Sequence, residues 1–214
     1  MTMHTFKYRG FISFIGSFLL AISYVKLGGL DGKTAFEIVF GYRPLYYIAH
    51  RVGFLFVIIL LQFYTAEPLL YMLHNSDNLC VRYNSIGRYC VSAIQNAAVN
   101  TSVFFLSSAV GVITALALQE QELPRDMLVV VIWGYVLCFV FVLFQIILMI
   151  YVNESETFGI MGGGAIAYTF LSCMDLPISS PPWLVRWSVI FAILAAELVF
   201  TIHTMKKRWV IHEN

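Results

Sequence analysis

Residues 127–152 read MLVVVIWGYVLCFVFVLFQIILMIYV, an apolar run that carries no charge and a single amide, Gln145. A helix that crosses about 30 Å of hydrocarbon needs ~20 such residues. The run is therefore long enough to cross a bilayer with some tilt. Polar links bound it on both sides, Gln119 to Asp126 before it and Asn153 to Thr157 after it. A run of this length and composition reads as a membrane span.

Composition extends that reading to the whole chain. Of 214 residues 60% are hydrophobic and 12% charged, with a mean hydropathy of +0.80. Soluble domains carry roughly 25% charged residues, so this chain lacks the polar surface to face water. The sequence predicts an all-α integral membrane protein, a single transmembrane domain over 1–214 with about six transmembrane helices and short interfacial helices. The spans are expected near 11–27, 52–73, 97–118, 127–152, 158–174 and 185–205.

Several features punctuate the plan. The first apolar run follows Lys7 and Arg9 but lacks a small-residue cleavage site, so it reads as a permanent span ending at Gly28-Gly29. Residues 31–51 mix polar and apolar types, as in a short helix lying in the interface with Tyr42, Tyr46 and Tyr47 at headgroup level. Pro68 would kink the second span if the helix continues to Leu73. The fifth span is short and glycine-rich (Gly159, Gly162, Gly163, Gly164), which predicts a broken or partly inserted helix. Pro177 to Trp183 reads as a rigid turn. Basic residues divide almost evenly between the two sides, but both chain ends are basic (Lys7, Arg9; Lys206, Lys207, Arg208). The positive-inside bias then predicts N- and C-termini in the cytoplasm.

Polar groups inside spans are costly and mark sites or packing contacts. The candidates are Gln62 and Glu67 in the second span, Gln145 in the fourth and Glu197 in the sixth. Glu197 lies deepest; it reads either as a substrate or proton contact or as an interhelical hydrogen bond that fixes packing. Glu67 reads as a headgroup-level carboxylate. His50, His74 and His203 each lie near an interface with no second pair, which argues against haem. Cys80, Cys90, Cys138 and Cys173 show neither metal-ligand nor disulfide spacing. No metal site is expected. The sequons at Asn100 and Asn153 read as chance matches, one opening a span and the other on the cytoplasmic side. A net charge of +1 and the lack of a long basic run argue against nucleic acid. No hydrolase or metalloprotease motif and no P-loop is present, so the chain reads as a non-enzyme without its own ATPase.

The most distinctive polar segment covers 75–92 and joins the second and third spans. Within it, Val81-Arg82-Tyr83-Asn84-Ser85 is followed by Arg88-Tyr89 and then by a long apolar span. If this segment is helical, Arg82, Ser85, Ile86 and Tyr89 share a face. As a plain interfacial helix, it would be anchored by its arginines and tyrosines.

That run resembles the "R-Y-x-S" element of a small class of bacterial ABC-type exporter permeases with the type-2 permease plan. The six spans, inner termini, amphipathic segment after span one, broken fifth span and basic tail are similar too. Ile86-Gly87 and Gln95 stand where that class often carries basic residues. The resemblance implies a multi-pass protein of the bacterial cytoplasmic membrane. It also implies a separate ABC ATPase subunit that binds the ATP, no cofactor on this chain, and a second copy or a paralogous permease as partner, all among membrane lipids. Arg82, Tyr83, Ser85, Arg88 and Tyr89 would couple the ATPase to the spans. The implied cargo is a peptide, bacteriocin-like or other amphipathic substrate, with bacteriocin immunity or antimicrobial resistance as the setting. The alternative reading is a membrane anchor or cofactor-binding subunit of an electron-transfer or other membrane complex.

Overall fold

A computed structural model describes residues 3–40, 57, 59–61, 64–65, 68–73, 85–152, 156–157, 159–163 and 183–212. Its helices are α1 (Met3–Lys26), α2 (Gly32–Val39), α3 (Ile86–Leu118), α4 (Met127–Tyr151) and α5 (Trp183–His212). The described residues of 57–73 are helical as well, and no strand occurs among the described residues. Three stretches are long and apolar enough to cross a membrane: α3, α4 and Trp187–Lys206 of α5. A shorter apolar stretch covers Gly10–Lys26 of α1. The chain is an all-α membrane protein.

Helix boundaries follow local chemistry. α4 starts and stops within a residue of its expected span, because Asp126 and Asn153 interrupt the apolar run. α3 begins at Ile86, well before the expected start near 97, because Ser85 caps it by accepting a hydrogen bond from the Arg88 backbone N–H. Its 33 residues make a rod of about 50 Å, longer than ~30 Å of hydrocarbon. At its other end the chain turns back through a left-handed residue, Glu120 (φ 55). The Gln121 N–H reaches Leu116 O at 3.0 Å and the Glu120 N–H reaches Ala117 O at 3.1 Å. This is a Schellman stop built without glycine. α1 ends at the expected glycine pair. Gly29 takes φ 62, and a Cβ on Gly28 would lie 2.6 Å from Tyr24 O.

Close contacts fix the helix directions. α1 runs parallel to α3, because Gly10 faces Ser107 and Gly111 faces the Phe14 carbonyl. The helical residues of 57–73 run antiparallel to α3: Tyr64 packs on Phe104, whereas Met72 meets Tyr89 nearer the start of α3. α4 is antiparallel to α3 through the 119–126 turn, with Tyr135 against Phe105. α5 runs alongside α4 in the same direction. Trp187 packs on Trp133 at 5.1 Å, and Lys206 lies within electrostatic reach of Cys90 near the start of α3.

α2 departs from the expected helix lying in the interface. Ala35, Phe36, Ile38, Val39 and the following Phe40 are all fully buried. Asp31 caps it at the Thr34 N–H, and the Gly32 N–H donates to Gln121 Oε1 at 3.1 Å. From that pinned end it enters the bundle, and Phe40 packs on Phe105 at 5.0 Å and beside Gly134. Amphipathic composition alone does not separate burial in lipid headgroups from burial in protein. The expected tyrosines at 42, 46 and 47 lie outside the described residues, as do residues 164–174 of the fifth span. One continuous apolar core joins α1 to α5, and Cys90 and Cys138 are buried free thiols within it.

Candidate functional site

The inner face of α5 follows a three-four spacing: Trp187, Ile190, Leu194, Glu197, Thr201 and Thr204. Such spacing keeps one seam of a helix against its neighbours. The opposite faces carry exposed Val189, Phe191, Ile193, Val199 and Phe200, as suits contact with lipid. The seam changes character halfway. Its first half is aromatic and aliphatic, and its second half is a carboxylate followed by two hydroxyls.

Three polar atoms here are unusual because no described residue satisfies them. Thr201 is 0% exposed and Thr204 2%. Their Oγ1 atoms and Glu197 Oε2 are buried without a hydrogen-bond partner. Other threonines in the bundle behave differently. Thr101 donates to Ala97 O, the carbonyl four residues back, at 2.8 Å, and the single Thr65 hydroxyl proton has two acceptors at 2.9 Å, Leu61 O and Gln145 Oε1. In a low-dielectric interior an unmade hydrogen bond costs about 1–3 kcal/mol. A cluster of three on one face is therefore a place for a polar occupant. A carboxylate with hydroxyls beside it offers acceptors, which suits a cationic donor. Ser108 on α3 is also buried and unpartnered, but it stands alone.

The remaining predicted positions separate. Gln145 is fully buried, and its Oε1 lies 2.9 Å from Thr65 Oγ1, so it ties α4 to the helical residues of 57–73. Ser85 serves as the helix cap and Arg88 is exposed. Tyr89 is 4% exposed and its hydroxyl donates to Met72 O at 2.9 Å. Its side chain is turned into the bundle. Arg82, Tyr83, Gln62 and Glu67 lie outside the described residues, as do His50 and His74. His203 is exposed on α5, away from the polar seam.

Sequence reasoning missed Thr201 and Thr204, although their spacing from Glu197 was visible. Threonines in apolar helices ordinarily bond to their own backbone, so residue type alone does not flag them. Comparison with family models, curated proteins and solved structures found no match.

Proposed function

We propose that this chain is the transmembrane permease subunit of an ATP-driven exporter in a bacterial cytoplasmic membrane, moving an amphipathic or peptide-like substrate. The carrying observation is the capped start of α3, a rigid helix long enough to reach beyond the hydrocarbon with Arg88 exposed on it. Such a projection gives a soluble ATPase something stiff to push, and the run Arg82-Tyr83-Asn84-Ser85 that leads into it carries the exporter resemblance.

Helix directions support six crossings with both ends on one side. α1 and α3 are parallel, so the chain between them must return, and 57–73 runs the required way. α4 and α5 are also parallel, so the link between them must return too. Charge supports a cytoplasmic assignment for the Ser85 end. Among the described residues that end holds Arg88, Lys206, Lys207 and Arg208 against Glu156. The α1 flank with Lys7 and Arg9 points the same way. The opposite end balances Lys26, Lys33, Arg125 and Arg186 against Asp31, Glu120, Glu122 and Asp126. Positive residues favour the cytoplasmic side.

The test is reconstitution in proteoliposomes, with and without an ATPase subunit encoded beside this chain. The chain alone is expected to hydrolyse no ATP, and the pair to hydrolyse it and move substrate. Hydrolysis by the purified chain alone would sink the reading, and so would failure of any such ATPase to bind it.

A further inference from the structure

We infer that Glu197, Thr201 and Thr204 form a binding site for the ammonium head of an amphipathic amine, reached from the lipid side of α5. The inference deepens the exporter reading by naming the charge of its substrate, but binding itself needs no ATPase.

Three observations carry it. The polar atoms on this half of the seam are buried and have no partner, with Thr201 and Thr204 almost wholly enclosed. Glu197 and Thr201 are one helical turn apart, about 6 Å along the axis, on one face of α5. Thr204 lies about a turn further on, towards the Lys206 end. The third observation is access. α5 is the least enclosed of the three long apolar helices, and Glu197 is half-buried at the edge of its seam. Ala195, Ala196 and Phe200 beside it are exposed. An alkyl chain can lie on that surface in the bilayer while its head turns inward.

The chemistry selects among ligands. A carboxylate accepts hydrogen bonds, and in a dry setting it is strongly stabilised by a paired cation. A neutral alcohol gains only the hydroxyl contacts. A quaternary ammonium carries the charge but no donors, so it pairs more weakly than a primary amine. Lys206 near the end of the seam disfavours entry of a cation from the Ser85 end and favours lateral entry from the bilayer. The Trp187, Ile190 and Leu194 half of the seam offers no side-chain hydrogen-bond acceptor, so the head stops at Glu197.

The experiment is equilibrium binding of a tritiated long-chain primary amine to the full chain in phosphatidylcholine nanodiscs. The long-chain alcohol of equal length serves as control. Saturable amine binding is expected, weakened at least tenfold by Glu197→Gln and about threefold by Thr201→Val. The alcohol should only partition into the lipid. A second measurement needs no variant: carbodiimide labelling of Glu197 in the wild-type protein should be blocked by the amine and not by the alcohol. Amine binding that is unsaturable, or unchanged in Glu197→Gln, overturns the inference, and so does labelling that the amine leaves unprotected. Failure of the exporter reading would appear differently, as intact amine binding with no ATPase partner.

Discussion

The carbonyl of Phe14 presses on Gly111 so closely that a Cβ at Gly111 would lie 2.5 Å from its oxygen. α1 and α3 therefore touch backbone to backbone, the close approach that small residues permit between membrane helices. Gly111→Ala should force the helices apart and cost about 1–3 kcal/mol, the usual range for overpacking. Thermal unfolding in detergent would show it. Gly87→Ala makes a control, since a Cβ there meets nothing within 4 Å.

Gln145 and Thr65 should prove energetically coupled. A double-mutant cycle with Gln145→Leu and Thr65→Val should give a coupling of ~0.6 kcal/mol, with an upper range near 2. Additive effects would show that their contact carries no energy of its own.

At the start of α3, adjacent residues should behave differently. Tyr89→Phe removes the hydroxyl bonded to Met72 O and should destabilise the fold by about 0.5–1.5 kcal/mol. Arg88→Ala should leave stability unchanged, because the side chain is exposed. If this end docks an ATPase, the same Arg88→Ala change should lower recovery of that subunit in a pull-down, by ~1 kcal/mol or more of binding energy. Normal recovery for Arg88→Ala, Arg82→Ala and Tyr83→Ala together would leave the segment an ordinary interfacial anchor.

The turn after α3 offers a gain of stability. Glu120 holds a left-handed conformation that costs a side-chain-bearing residue roughly 1–2 kcal/mol. Glu120→Gly should recover about 1 kcal/mol. A lower unfolding temperature would mean that the carboxylate makes a contact worth more than the strain.

Topology reporters test the orientation. Fusions at Asn214 and within 75–90 should report cytoplasm, and one within 119–126 should report the outside. An external signal at Asn214 would overturn the arrangement with both ends inside.

How far the sequence could be read depended on whether hydropathy or packing set each feature. The α4 limits were legible because charge and apolarity change abruptly at Asp126 and Asn153. The start of α3 was not, because Arg88, Gln95 and Asn96 look like a loop to hydropathy although they continue a capped helix. Only the Ser85 cap marks it. The burial of α2 was illegible, since it depends on Gly32 and Gly134 accepting close neighbours from distant parts of the chain. Glu197 stood out by its charge, whereas Thr201 and Thr204 gained significance only because their hydroxyls have no partner among the described residues.

The length of α3 has a mechanical consequence. Gly111 is seated against α1, and the Gln121 end is tied to α2 through the Gly32 N–H. From Gly111 back to Ile86 the helix extends ~37 Å, and near its far end Tyr89 ties it to Met72 O, so the two move together. With the Gly111 contact as fulcrum, a tilt of about 5° sweeps Ile86 through ~3 Å. By the same leverage, a small change of tilt at the Gly111 contact becomes a displacement of several ångströms at the Arg88 end.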